Sequence, residues 1–200
     1  MSDILKDLKV TVTHISGTSR EVADRARTTI GLGEGDKPIS DNYMRKMYLC
    51  EHSPIRTQIY KIKLENLPTW VSTHFVRHKI GVEHFVSTQR TDRTNIDRNS
   101  KSQDSPVTHE MVLNPQTFIT ISRKRCCNCA SLETRKVWNM VLDELEKINA
   151  PLRRACVPDC VYRGWCYEYK SCNYHKTRAF RIQLNEYRDN INGYGGNINE

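Results

Sequence analysis

Between Thr69 and Arg93 the chain reads TWVSTHFVRHKIGVEHFVSTQRTDR, in which seven residues separate Arg77-His78-Lys79 from Ser87. These residue types suit an anion. Arg77 offers a planar fork for phosphate, Lys79 a compact positive charge, and His78 a ring that can stack and titrate. Ser87, Thr88, Gln89 and Arg90 add a run of further hydrogen-bond donors. A solvated basic stretch beside a core helix is the alternative that this segment leaves open.

The elements that would position these groups follow from periodicity and turn signals. Residues 8–15 alternate and suggest a strand, and Ser19 is placed to cap a helix with Val22, Ala26 and Ile30 on one face. Gly31 to Pro38 is a loop; it lacks the Lys-Ser/Thr that completes a phosphate loop. Asp41 can cap a second helix to about Cys50, with Met44, Met47 and Tyr48 inward, until Ser53-Pro54 breaks it. Thr57 to Leu64 alternates as a strand and Asn66-Leu67-Pro68 turns the chain. Thr69 then caps a helix to about Lys79, whose last turn would hold the three basic residues, where the helix dipole favours them. Residues 91–106 are polar throughout and read as a mobile loop. Val107–Leu113 is a short strand, and Asn114-Pro115 opens a helix to about Cys127. The clearest helix spans Leu132 to Asn149, with Val137, Val141, Leu142, Leu145 and Ile148 in one apolar stripe. Pro151 ends it. From Glu186 the chain is polar, with Gly193, Gly195 and Gly196, and a frayed tail is expected.

Two hundred residues make one domain with room for a small appendage. Lys and Arg number 31 against 23 Asp and Glu, a formal charge of +8 that suits nucleotides, nucleic acid or other polyanions alike. No apolar run approaches the ~18 residues of a membrane span. The N-terminus lacks the charged-then-apolar form of a secretory signal, so a cytoplasmic protein is expected. In that setting the eight cysteines read as free thiols or a metal site rather than a disulfide framework. Cys156, Cys160, Cys166 and Cys172 form the candidate set for zinc or an iron–sulfur cluster, against buried or free thiols packed among Tyr162, Trp165 and Tyr167.

The Arg77-His78-Lys79-x7-Ser87 spacing resembles the signature of the flavin-dependent thymidylate synthase (ThyX) family, with Lys79 in place of its last arginine. Other blocks follow in order over residues 8–150. Arg27-Thr28-Thr29 resembles the family's Arg-x-Ser near the flavin diphosphate. His52-Ser53-Pro54 resembles the opening of its central sheet. His74 stands where a nucleotide-contacting Gln is common. Asn114-x-Gln116, with Arg125 eleven residues after the Asn, resembles Asn-x-Arg followed by the arginine that binds dUMP. Ala130-Ser131-Leu132-Glu133 resembles Ala-Gln-Trp-Glu. The sequence departs from the pattern where His84-Phe85 replaces Asn-Glu, Gln89 replaces an Arg that Arg90 could supply, Arg56 replaces a Glu, Gln116 replaces an Arg and Cys129 replaces a His.

The resemblance implies an α+β fold with a mixed sheet packed with helices and long C-terminal helices. Residues 1–150 would be the catalytic domain, and 151–200 a cysteine-rich extension with a flexible tail. It implies an FAD-dependent homotetramer that methylates dUMP, with methylenetetrahydrofolate and NADPH as co-substrates. The cofactor set would be Arg27, Thr29, Arg77, His78, Lys79 and Asn114. The substrate set would be His74, Ser87, Thr88, Gln89, Arg90, Gln116 and Arg125, with Arg77, Lys79, Ser87 and Arg125 serving the reaction. Ser87 would bind rather than attack, because nothing activates it. The base-orienting departures leave a related C5 hydroxymethylation open. A second class stays open as well: basic residues interleaved with aromatics from Val161 to Arg181 could bind single-stranded nucleic acid, although a nucleotide-sized site fits the Arg77–Ser87 block better.

Overall fold

The computed structural model describes residues 4–192, with side chains to residue 189. Four strands, β1 (Lys9–Ser16), β2 (Ile59–Pro68), β3 (Val82–Val86) and β4 (Pro106–Leu113), form one sheet in the order β1-β2-β4-β3. Every pairing is antiparallel, so the sheet is not mixed in direction; helices and strands are mixed, and the α+β class stands. The helices are α1 (Ser19–Thr28), α2 (Asp41–Leu49), α3 (Thr69–Val76), α4 (Thr91–Thr94), α5 (Pro115–Arg125), α6 (Leu132–Ile148), α7 (Ala150–Ala155), α8 (Asp159–Arg163) and α9 (Arg178–Asn192). None among the described residues is long and apolar enough to cross a membrane.

Alternation in β2 buries Tyr60, Ile62 and Leu64 on one face, and the register sets Ile62 beside Met111 and Leu64 beside His109. On that face sits Trp138 of α6, fully buried, with the rings of Phe75 and Phe118 each 5.9 Å from it. Its indole N–H would be unsatisfied in such a place; it donates to Ser122 Oγ at 2.9 Å. Val137, Val141, Leu142 and Leu145 complete the α6 stripe, whereas Ile148 at the helix end is 47% exposed and falls outside it. Leu152, Ala155 and Cys156 extend this core, and a second, smaller core of Val157, Val161, Phe180, Leu184 and Tyr187 joins α8 to α9.

Several boundaries differ from the sequence reading. Thr18, not Ser19, caps α1, in a reciprocal box with Glu21 whose hydrogen bonds hold that carboxyl below its ordinary pKa. Ser40, not Asp41, caps α2. Asn66 takes a left-handed φ of 62° that bulges β2 rather than ending it, and Leu67 then packs fully inward. Residues 91–106 carry α4 and a 3-10 turn at Arg98–Ser100 and are tied to the start of α3: Trp70 Nε1 donates to Asp104 at 2.9 Å and Thr69 Oγ1 to the Ser105 carbonyl at 2.8 Å. The expected frayed tail is helical in α9 as far as Asn192; Gly193, Gly195 and Gly196 lie outside the described residues.

The most consequential difference is at α3, which stops at Val76 instead of running through Lys79. Gly81, at φ +72°, turns the chain into β3, an edge strand not expected from the sequence. A Cβ at Gly81 would lie 2.5 Å from Thr117 Oγ1, an atom pinned by its bond to the Gly81 carbonyl. Gly81→Ala should therefore lower unfolding stability by about 1–3 kcal/mol. Gly31 has a similar φ of +76° with nothing within 4 Å, so Gly31→Ala isolates the conformational part. Equal urea-unfolding losses for the two variants would rule out the contact with Thr117.

Candidate functional site

The residues after α3 converge with the end of α5. A helix leaves its last carbonyls without intrahelical partners, and here side chains from other elements meet carbonyls at the end of α3 and in the turn after it. Arg125 Nη2 donates to the His74 carbonyl. His84 Nε2 meets the His78 carbonyl at 2.7 Å. Thr117 Oγ1 donates to the Gly81 carbonyl at 2.9 Å, with Asn114, the α5 N-cap, beside it. Arg125 Nε also donates to His78 Nε2 at 2.8 Å. His74, His78, Asn114 and Arg125 are thereby gathered around the Arg77–Gly81 segment, as the resemblance implies.

The electrostatics of this end are one-sided. Burial and the neighbouring Arg77 charge lower the pKa of Arg125. Burial, then Arg125 and Arg77, lower that of His74, with Glu133 acting weakly the other way. Burial, Arg125 and His84 push His78 down to about 4. The ring of His78 is then neutral near pH 7, and it accepts at Nε2, so its proton lies on Nδ1. The Arg77 and Lys79 side chains are exposed and have no hydrogen-bond or ion-pair partner among the described residues. Two guanidiniums and an ammonium without a paired carboxylate fit a phosphate.

Ser87 to Arg90 sit elsewhere. Ser87 pairs with Thr108 at the end of the sheet, and Gln89 Nε2 donates to Thr69 Oγ1 at 2.8 Å, at the start of α3. Thr88 Oγ1 accepts from the Arg90 backbone, and the Arg90 guanidinium forks onto Asp92 at 2.8 and 2.9 Å. These residues line a cleft of about 220 Å³ with Arg98 and Val107. The eight residues of α3 put roughly 12 Å between this cleft and the Arg77 end.

Gln116 is also apart from Arg125. Nine residues along α5 is a half-turn offset, so they face opposite sides, and Gln116 bonds Glu51 together with Arg123, whose guanidinium covers the Tyr162 ring at 3.6 Å. Arg27 Nε donates to the Gly33 carbonyl at 2.6 Å and lines a separate cleft of about 330 Å³ with Arg20 and Tyr43; Thr29 bonds back to Ala26.

The four cysteines expected to share a metal do not converge. Cys156 is buried against Cys126, while Cys160 neighbours Cys166 and Cys172, and Cys172 faces Cys129. Among the described residues no three Cys, His, Asp or Glu side chains form a metal-binding group. Burial pushes Cys156 and Cys160 up to about 11 and Cys126 and Cys127 up to about 12, so all four are thiols, not thiolates.

A polar chain that the sequence reading missed joins the site to the sheet. Ser72 Oγ meets His109 Nδ1 at 3.0 Å, and His109 Nε2 meets His84 Nδ1 at 2.9 Å. His74 Nδ1 meets Thr134 Oγ1 at 2.7 Å, which meets the α6 cap Ser131. Alternation along Val107–Leu113 places His109 on the core face with Val107 and Met111, a signal present in the sequence.

Fully buried His109 is pushed down to about 4 by burial and His84. Its unfolded counterpart titrates near the ordinary 6.5, so between these values the unfolded chain binds a proton that the folded chain does not. Stability should be complete above about pH 6.5 and fall as pH drops towards 4, with a contribution from His109 on the order of 3 kcal/mol. Urea unfolding of the wild type and of His109→Gln across pH 4–8 checks this. The variant should show a shallower fall; parallel curves would refute the assignment.

No family model matches the chain, and no curated protein matches it by sequence. Solved structures do. The UMP/dUMP methylase PolB from Streptomyces cacaoi, bound with 5-Br dUMP, is 12% identical with a TM-score of 0.57, over 74% of this chain and 94% of that one. The flavin-dependent thymidylate synthase ThyX from Helicobacter pylori, complexed with FAD and dUMP, is 14% identical with a TM-score of 0.58, over 74% of this chain and 99% of that one. A second structure of that synthase with FAD and dUMP matches equally. The chain has the fold of these enzymes.

Proposed function

We propose that this chain is a flavin-dependent enzyme that transfers a one-carbon unit from methylenetetrahydrofolate to C5 of dUMP, with FAD as cofactor and NADPH as reductant. The observation that carries this reading is the cluster of Arg77, Lys79 and Arg125 around neutral His78, without a paired carboxylate, on a fold whose solved relatives hold FAD and dUMP. When bound, the flavin supplies hydride and the folate the carbon. Arg125, already oriented by two bonds, would present its outer edge to the nucleotide phosphate. Arg77 and Lys79 would hold the flavin and oppose charge developing on the pyrimidine carbonyl. His78 Nδ1–H would donate to the flavin or the base. Residues 1–150 would carry the site and 151–200 would form the appendage. Eight free thiols suit a reducing, cytoplasmic setting.

The Ser87–Arg90 cleft lies at the start of α3, while Arg125 bonds the His74 carbonyl towards its end. Shared sites in a homotetramer, where one copy's Ser87 end faces another's Arg125 end, would bring them together. Sedimentation should then show an assembly larger than a monomer; a monomer at all concentrations with FAD present would count against it.

One observation favours an altered product. Two positions that would read the base are engaged within the chain, His84 with His109 and Gln116 with Glu51. Hydroxymethylation, which omits the final flavin hydride, is therefore the second reading.

Purified protein should retain or take up FAD. Arg125→Ala should leave FAD bound while weakening dUMP binding about tenfold or more, as loss of a charge-assisted bond implies. Mass spectrometry after incubation with dUMP, methylenetetrahydrofolate, FAD and NADPH distinguishes a methyl from a hydroxymethyl product. Absence of FAD binding at micromolar concentrations would remove the enzyme reading.

A further inference from the structure

We propose that Ser72, His109 and His84 form a neutral, one-directional hydrogen-bond strut that holds the His78 carbonyl and so positions His78 and Arg125 for the nucleotide. These are positioning residues, and their use in nucleotide binding rests on the reading above. The direction of the strut follows from donor counting. A carbonyl only accepts, so His84 Nε2, 2.7 Å from the His78 oxygen, carries a proton. In the neutral strut His84 is bare at Nδ1, which then accepts from His109 Nε2–H at 2.9 Å. His109 is in turn bare at Nδ1, and the Ser72 hydroxyl donates to it at 3.0 Å. Every tautomer is thus determined.

The surroundings keep the strut neutral. From α3 the neighbours of His109 are Ser72 and the Phe75 ring; from β3 they are the His84 ring and Val86, its cross-strand partner. His84 meets His78 and, through it, the Arg125 charge on α5. His84 has no acid bonded to it among the described residues, and the residue it holds, His78, bonds the Arg125 guanidinium. Ser72 and His109 are buried in the core while His84 is half-buried, so the strut connects rigid packing to the segment that carries Arg77 and His78.

The test reads ring tautomers by proton–nitrogen NMR in the full chain without ligand. At pH 7 His84 and His109 should each be protonated at Nε2 and His78 at Nδ1. His84→Phe should lose the single His78 tautomer, because its carbonyl is released. His84→Gln, whose amide can still donate to that carbonyl, should keep it. Ser72→Ala, which removes one oxygen, should leave His109 in mixed tautomers and serves if His84→Phe does not fold. In dUMP titrations His84→Phe should bind about tenfold more weakly, with His84→Gln near wild type. A Nδ1-protonated or cationic His84 or His109 in the wild type would overturn the strut, as would an unchanged His78 in both His84→Phe and Ser72→Ala. If the tautomers behave as stated but the wild type binds no dUMP, the strut stands and the proposed function falls.

Discussion

The structure around the candidate site depends on how the open end of α3 is closed. A helix leaves its last carbonyls without intrahelical partners, and those turned away from solvent need donors from elsewhere. Side chains of other elements meet the carbonyls of this end and of the turn after it: Arg125 of α5 at His74, His84 of β3 at His78 and Thr117 of α5 at Gly81, with His109 of β4 bonded to His84 behind. Gly81 permits the left-handed turn that brings β3 back beside β4. The groups that could meet a nucleotide are therefore also the groups that terminate the helix. The geometry of the candidate site and local stability are coupled through the same hydrogen bonds.

Charge follows from this arrangement. Burial keeps His78 and His109 neutral, so the positive charge at the site belongs to Arg77, Lys79 and Arg125. Arg125 is held by bonds to a carbonyl and a neutral ring rather than by a carboxylate. Its charge stays available to an anion, unlike that of Arg123, two residues earlier, which is neutralised by Glu51 and covered by Tyr162. Neighbouring arginines on one helix thus serve opposite purposes: one opens to solvent at the site, and the other fastens α5 to the segment around α8.

Much was legible in the sequence because it depends on short-range periodicity. The α6 stripe, the inward face of β2, the Asn114 cap and the proline after it reflect regular helical and strand spacing, which local side-chain patterns encode directly. The Arg77–Lys79 block and Arg125, fixed at their spacing by resemblance, do come together in space. The same spacing placed Ser87 to Arg90 and Gln116 with them, and the fold does not.

What only the tertiary structure decided were the places where distant segments compete for one polar group. The end of α3 and the turn after it are held by donors 6 to 51 residues away, whereas its own sequence favoured continuing to Lys79. β3 was hidden because an edge strand with exposed Phe85 and Val86 has only one buried neighbour to mark it, Val82. His109 was read as one residue of a strand, and its partners Ser72 and His84 lie on two other elements. The cysteines show the same limit, since proximity in the chain put Cys156 with Cys160 while packing put it with Cys126. By itself the sequence determined the strongly periodic elements, such as β2 and α6, and which charges they carry. Long-range hydrogen bonding decided where they stop and which side chains meet, because unsatisfied buried polar groups are too costly to leave and their partners are chosen by the fold.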